Sequence, residues 1–127
     1  MMKKVLIAGA TGAMGQKAVA LVNSLPDVEL TAVLAPHLTA DQREHFHLAP
    51  SVQIFQELNQ VTPGIADIWV DFTIPAAVYT NVKFAIEHHM APVVGTTGLN
   101  DGQEAELIEE SKQYQCGGLI APNFGMS

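Results

Sequence analysis

Residues 5–15 read Val-Leu-Ile-Ala-Gly-Ala-Thr-Gly-Ala-Met-Gly, an apolar run followed by three glycines at three-residue spacing. With the helical pattern that comes next, this order predicts a buried strand, a tight turn and the first turn of a helix. Gly9 suits the sharp turn, because it has no side chain to restrict the backbone. Gly12 would let the backbone approach a pyrophosphate, and Gly15 would let the helix pack closely on the strand. The glycine turn (residues 9–15) therefore favours a dinucleotide site over an ordinary strand-to-helix turn.

Length and composition indicate one folded domain over residues 1–127, with 48% hydrophobic and 15% charged residues. The net charge of −7 argues against a nucleic-acid or anionic membrane surface as partner. Cys116 is the only cysteine, which excludes an internal disulfide and fits a reducing compartment. The apolar run before Gly9 is too short for a signal peptide or a membrane span. We therefore expect a cytoplasmic protein.

Hydrophobic patterning predicts strands that alternate with helices along the chain. The strands are expected near residues 3–8, 28–34, 52–55, 65–72, 91–94 and 117–121. Helices are expected at 12–24, briefly at 57–61, from Pro75 and from Asp101. The first helix has an apolar stripe at helical spacing, formed by Met14, Ala18, Leu21, Val22 and Leu25. The right-handed crossover rule then predicts an α/β fold of the Rossmann type, a doubly wound parallel sheet with helices on both faces.

Four turns of the predicted fold follow strand ends and would meet at one edge of the sheet. They are residues 9–15, 71–73, 95–97 and 121–124. In open parallel sheets, ligands bind beyond the carboxyl ends of the strands, where the chain reverses its winding direction. All four turns therefore predict a single ligand crevice.

The end of the second strand departs from the usual pattern for NAD. An acidic residue commonly lies there, about 20 residues past the first glycine, and bonds the adenosine ribose. Glu29 has that sequence distance but stands at the start of the strand, on the opposite edge, whereas the far end reads Leu34-Ala35-Pro36. His37 or Arg43 could approach a 2′-phosphate, although a solvated loop residue is the favoured interpretation of each. The missing acidic residue is therefore the main weakness in a simple NAD assignment.

The histidines do not indicate a metal site. His45 and His47 could place two imidazoles on one face of a strand, but no third ligand stands near them. His88 and His89 are adjacent, so their side chains point in different directions on a helix. We expect these two at the C-terminus of the helix that starts near Pro75, where they interact favourably with the helix dipole.

The combined motifs resemble the bacterial dihydrodipicolinate reductase family over essentially the whole chain. The matching segments are Gly9-x-x-Gly12-x-Met14-Gly15, Asp71-Phe-Thr-x-Pro75, Gly95-Thr-Thr-Gly98 and Pro122-Asn-Phe124. The resemblance implies that this is the NADH- or NADPH-binding N-terminal half of an enzyme of lysine biosynthesis through diaminopimelate. The enzyme reduces a cyclic imine dicarboxylate by hydride transfer.

The resemblance also implies roles for particular residues. Those expected to hold the pyrophosphate through backbone N–H groups are Gly9, Ala10, Thr11, Gly12, Ala13 and Met14. Those expected beside the cofactor and at its nicotinamide end are Phe72, Thr73, Gly95, Thr96, Thr97, Ala121, Pro122, Asn123 and Phe124.

Two departures from the family pattern set further expectations. The family's acidic residue after strand two, followed by arginine in some members, corresponds here to Ala35 and Pro36. A charge-assisted hydrogen bond contributes about 1.5–3 kcal/mol, so its loss would weaken binding by roughly tenfold or more. We therefore expect weak discrimination between NADH and NADPH. The family's substrate domain, which carries the catalytic residues and most tetramer contacts, would follow Ser127. We therefore expect cofactor binding without turnover, and a monomer or weak dimer.

Two alternatives stay open at this point. One is a stand-alone nucleotide-binding or regulatory module with no reaction of its own. The other is a different dehydrogenase of related fold, such as a homoserine or aspartate dehydrogenase. The pair of motifs Asp71-Phe-Thr and Gly95-Thr-Thr-Gly98 argues against the latter.

Overall fold

A computed structural model describes residues 3–73, 75–94 and 101–113 of the chain. The helices and strands within these ranges are β1 (Lys3–Ala8), α1 (Ala13–Ser24), β2 (Val28–Leu34), β3 (Gln53–Phe55), β4 (Ile68–Asp71), α2 (Pro75–Glu87), β5 (Ala91–Val94) and α3 (Asp101–Gln113). Two single 3₁₀ turns, Ala40–Gln42 and Leu58–Gln60, lie on either side of β3. The predicted strand at 117–121 lies outside the described residues.

The strands form one parallel sheet with the order β3-β2-β1-β4-β5. From β1 the chain winds outward through β2 to β3, then crosses back to β4 on the other side of β1. The winding direction therefore reverses between β1 and β4. This confirms the doubly wound parallel sheet, and the glycine turn follows the end of β1, at the reversal.

Alternate residues of β1 pack on opposite faces of the sheet. Val5 and Ile7 belong to an apolar cluster with Val19 of α1, whereas Leu6 and Ala8 belong to a second cluster with Ala85 of α2. All four β1 side chains are buried. Full burial of a side chain such as Leu or Ile contributes about 1.5–3 kcal/mol, so β1 anchors the helices on both faces.

The buried face of α1 differs from the predicted apolar stripe. Leu21 and Leu25 of that stripe are 56% and 43% exposed, whereas Gly15, Val19 and Val22 are buried. The close approach at Gly15 turns the line of residues 15, 19 and 22 toward the sheet, and this excludes Leu21 from the interface. The prediction for these two leucines is wrong, although the bounds of α1 agree with the sequence to within one residue.

Three histidines adopt a left-handed backbone conformation in turns. The φ values of His37, His47 and His89 are 70°, 58° and 60°. His45 and His47 lie in a turn, so the possibility of two imidazoles on a strand face is wrong. His88 and His89 both follow the end of α2. His88 Nδ1 lies 2.8 Å from the carbonyl oxygen of Phe84 in the last turn of that helix.

Two searches of the described ranges gave negative results. They contain no group of three or more His, Cys, Asp or Glu side chains that could hold a metal ion. They also contain no helix that is long and apolar enough to cross a membrane.

Candidate functional site

Two glycines of the glycine turn are required by the packing of the backbone. Gly9 has a φ of +81°, and a Cβ atom there would lie 2.7 Å from the carbonyl carbon and oxygen of Phe72. A Cβ atom on Gly15 would lie 1.9 Å from the carbonyl oxygen of Gly9. Gly9 therefore lets the chain after β4 approach the end of β1, and Gly15 lets α1 start directly against the turn.

Gly12 has a different environment from the other two. A Cβ atom there would meet only the carbonyl oxygen of Gly9, at an ordinary contact distance of 3.6 Å. Its φ of −74° is accessible to any residue. Gly12 is exposed and precedes α1 as its N-cap. Since nothing within the described chain requires a glycine here, the space beside it is available to a ligand.

The first turn of α1 carries unpaired backbone donors. Gly12 donates to the carbonyl oxygen of Gly9 at 3.2 Å, and the first helical bond runs from Gln16 to Gly12 at 2.9 Å. The N–H groups of Ala13, Met14 and Gly15 find no acceptor among the described residues. No acidic residue stands in the first turn of α1. Unpaired N–H groups at the positive end of the helix dipole form a site for an anion such as a phosphate.

A cavity of about 400 Å³ opens beside the glycine turn, a volume typical of small-molecule sites. Its lining residues come from the carboxyl ends of four neighbouring strands and from α2. They are Gly9, Thr11, Gly12, Leu34, Pro36, Gln56, Leu58, Phe72, Thr73, Ala77 and Asn81. The cavity therefore lies at the edge of the sheet where the strand ends predict the ligand crevice.

The predicted site residues fall into three groups in the structure. Five of them line the cavity together: Gly9, Thr11, Gly12, Phe72 and Thr73. The other three described ones do not line it: the Ala10 side chain is buried in the core, while Ala13 and Met14 begin α1. Gly95, Thr96, Thr97, Ala121, Pro122, Asn123 and Phe124 lie outside the described residues.

A buried carboxylate holds the β4–α2 segment (residues 72–73) in place. Asp71 is 0% exposed and accepts hydrogen bonds from Trp69 Nε1 at 3.0 Å and from the backbone N–H of Thr73 at 2.9 Å. It also accepts the hydroxyl of Thr73, whose oxygen in turn accepts Asn81 Nδ2 at 3.3 Å. Burial raises the pKa of the Asp71 carboxyl above its ordinary value, although the bonds from Thr73, Trp69 and Asn81 oppose this shift.

The cavity has no charged side chain where the family pattern would place one. Ala35 is fully buried, and its N–H donates to the carbonyl oxygen of Phe55 at 2.9 Å. His37 is exposed and is absent from the lining. The Arg43 guanidinium donates to the carbonyl oxygens of Ala49 and Val52 at 2.7 and 2.6 Å. Arg43 thus braces its own loop and does not line the cavity.

Sequence reasoning missed six lining residues: Leu34, Pro36, Gln56, Leu58, Ala77 and Asn81. Asn81 could have been found, because it is a polar residue among the apolar positions Val78, Val82 and Ala85 of one helix face. Its side chain is only 7% exposed. Gln56 follows β3 directly, so the rule that ligands bind at strand ends also applied to it.

Comparison with known proteins places this fold among reductases. The family described as "Dihydrodipicolinate reductase, N-terminus" matches residues 3–124. The 4-hydroxy-tetrahydrodipicolinate reductase of Lactobacillus acidophilus is 59% identical over 127 residues, which are 100% of this chain and 48% of that protein. The enzyme of the same name from Enterococcus faecalis is 44% identical over 98% of this chain and 48% of its own. The chain thus spans about half the length of the curated relatives it matches.

Solved structures agree with these sequence matches. A dipicolinate-bound dihydrodipicolinate reductase from Paenisporosarcina sp. TG-14 superposes with a TM-score of 0.81 at 30% identity, over 96% of this chain and 48% of that one. An oxidoreductase from Agrobacterium radiobacter, in complex with NAD+, L-tartaric acid and magnesium, has a TM-score of 0.80. It is only 9% identical, over 94% of this chain and 35% of that one. That second likeness therefore shows the fold alone.

Proposed function

The chain belongs to the dihydrodipicolinate reductase family, and from this premise we propose that it binds NADH or NADPH in the cavity beside Gly9. One observation carries the proposal: the unpaired N–H groups of Ala13, Met14 and Gly15 stand beside an exposed Gly12 that lines the cavity. With a net charge of −7, the protein holds a dinucleotide by local backbone dipoles rather than by an overall positive field.

The described residues suit different parts of the cofactor. The pyrophosphate binds at the glycine turn, where Gly9, Ala10, Thr11 and Gly12 precede the first turn of α1. Phe72 and Thr73, which also line the cavity, lie beside the cofactor, and the Asp71 carboxylate holds Thr73 in place. The family resemblance supports the same proposal for two segments outside the described residues: residues 95–97 meet the nicotinamide ribose and carboxamide, and residues 121–124 close the nicotinamide end. The bound nicotinamide supplies the hydride.

The reaction of the whole protein belongs to the same proposal. A protein of this family with its second half would deliver the hydride to a cyclic imine dicarboxylate, in lysine biosynthesis in the cytoplasm. This chain spans about half of its relatives' length, and we propose that alone it is a monomer or weak dimer that binds cofactor without turnover. The cavity supports the absence of turnover, because none of the lining side chains that the structure describes is ionisable and could act as a general acid.

Calorimetric titration of the 127-residue chain with NADH, and then with NADPH, tests the binding site. Gly12→Asp places a carboxylate where the pyrophosphate binds. Two unit charges 4 Å apart repel by about 4 kcal/mol at an effective dielectric constant of about 20. We therefore expect the affinity for both cofactors to fall by at least about 100-fold.

Ala20→Asp is the matched control, since it adds the same charge at an exposed position of the same helix. We expect it to bind both cofactors with nearly unchanged affinity. A wild-type chain that binds neither cofactor at millimolar concentration would contradict the proposal. Equal affinities of wild type and Gly12→Asp would show that the pyrophosphate binds elsewhere.

A further inference from the structure

The proposed binding mode puts the adenosine at the end of the cavity formed by the ends of β2 and β3, where Gln56 is the one polar side chain among the described lining residues. Leu34, Pro36 and Leu58 complete this part of the lining. Proline has no N–H to donate, and the two leucines are apolar. The other polar side chains of the lining, Thr11, Thr73 and Asn81, come from the glycine turn, the β4–α2 segment and α2.

Backbone hydrogen bonds place Gln56 at the same edge as the glycine turn. Gly9 N–H donates to the carbonyl oxygen of Leu34 at 2.8 Å, and Ala35 N–H donates to that of Phe55 at 2.9 Å. The carboxyl ends of β1, β2 and β3 are thereby joined side by side. Gln56 follows Phe55 directly, so it projects from the strand next to the one that usually carries the ribose-binding acid.

The amide of Gln56 is oriented by a bond to the loop. Its Nε2 donates to the carbonyl oxygen of Leu38 at 2.7 Å. No donor in the described part of the chain reaches Oε1, and the side chain is exposed at the cavity wall. The amide therefore presents an acceptor oxygen whose hydrogen-bonding capacity is unused.

We propose that Gln56 is the residue that recognises the adenosine ribose, with Oε1 accepting the hydrogen bond of the 2′-hydroxyl. This inference rests on the proposed cofactor function. From the neighbouring strand, an uncharged amide takes over the role of the acid, so it bonds the ribose of NADH without repelling the 2′-phosphate of NADPH. The site thus accepts both cofactors, and the charge at position 56 determines the ratio of their dissociation constants.

Substitutions of Gln56 test this through the ratio of the NADPH and NADH dissociation constants, measured by calorimetry on the 127-residue chain. Gln56→Glu is nearly isosteric and adds a negative charge, so we expect it to raise this ratio by about tenfold or more. Gln56→Lys adds a positive charge and should lower the ratio by a similar factor. Gln53→Glu is the matched control, because it puts the same charge at an exposed position at the other end of β3.

The outcomes separate this inference from the function on which it rests. A wild-type chain that binds neither cofactor overturns both. A wild-type chain that binds both cofactors, with a ratio that Gln56→Glu and Gln56→Lys leave within about twofold, overturns only the role of Gln56. A shift of the ratio in Gln53→Glu as large as that in Gln56→Glu would also overturn it, because the effect would then be one of net charge.

Discussion

At the scale of the residue, Asp71 has an environment that makes stability depend on pH. Burial raises its pKa in the folded protein above the ordinary value of 3.8. The folded state therefore holds this proton at pH values where the unfolded state has released it, so the free energy of unfolding falls as pH rises through that window. The hydrogen bonds from Trp69 and Thr73 stabilise the ionised carboxylate and so limit this rise of the pKa.

We expect Asp71→Asn to remove this pH-dependent part. The difference in free energy of unfolding, wild type minus variant, should decrease as pH rises above 3.8 and through the raised pKa. Urea denaturation from about pH 2.5 to pH 7 measures it. We also expect Asp71→Asn to lower the free energy of unfolding by an amount that does not depend on pH, since an amide cannot accept all of these hydrogen bonds.

We expect the effect of Asp41→Asn on stability to change with pH in the opposite direction. The hydrogen bond from the Thr39 side chain lowers the pKa of the exposed Asp41 carboxyl, so its contribution is lost as pH falls below 3.8. The free energy of unfolding of the wild type minus that of Asp41→Asn should therefore increase as pH rises toward 3.8. Slopes of the same sign for both variants, or no slope for Asp71→Asn, would contradict the account of Asp71.

At the scale of the element, the docking of α1 on β1 depends on the missing side chain at Gly15. Alanine is about 1 kcal/mol better than glycine within a helix, so propensity alone predicts that Gly15→Ala stabilises the chain. The 1.9 Å approach of a Cβ atom to the Gly9 carbonyl oxygen predicts the reverse. Overpacking costs about 1–3 kcal/mol, and the Gly9 carbonyl oxygen belongs to the backbone, which cannot move aside as a side chain can. We therefore expect the upper part of this range, which leaves a net loss of about 1–2 kcal/mol after the gain in helix propensity.

Gly12→Ala is the matched control in the same turn. Its Cβ atom would stand 3.6 Å from the same oxygen, so we expect no steric loss. Alanine is a poorer N-cap than glycine, and this alone should lower the free energy of unfolding by about 0.5–1 kcal/mol. Urea unfolding of both variants measures the difference. If Gly15→Ala is as stable as Gly12→Ala, steric exclusion at this position is not what sets the distance between α1 and β1.

At the scale of the whole molecule, a cofactor site is expected without a reaction. We expect the 127-residue chain, saturated with NADH or NADPH, to show no reduction of the cyclic imine dicarboxylate substrate, measured by loss of nicotinamide absorbance. A full-length relative such as the Lactobacillus acidophilus reductase is the positive control, because this chain spans 48% of its length. Turnover by the chain above the enzyme-free background would contradict the expectation.

Local patterns were sufficient for the fold and for the glycine turn. The predicted bounds of the strands β1, β2 and β5 agree with the structure, because the apolar residues at the end of each segment stand just before a glycine or a proline in the sequence. The need for glycine at positions 9 and 15 likewise followed from their spacing at a strand-to-helix turn. In contrast, β4 is shorter than predicted, since Ile65 and Ala66 precede the ladder that begins at Ile68.

The sequence by itself determined the succession of strands and helices along the chain and the position of the glycine turn, since both depend on contacts between near neighbours in the chain. Only the tertiary structure decided which face of α1 is buried, and that Gln56 and Asn81 line the same cavity as Gly12. These features depend on contacts between segments far apart in the chain. Local patterns can single out Asn81 and Gln56 one at a time, but they do not show that the two residues share a cavity. That depends on the order of the strands in the sheet and on the distance between helix and sheet, which are set by packing.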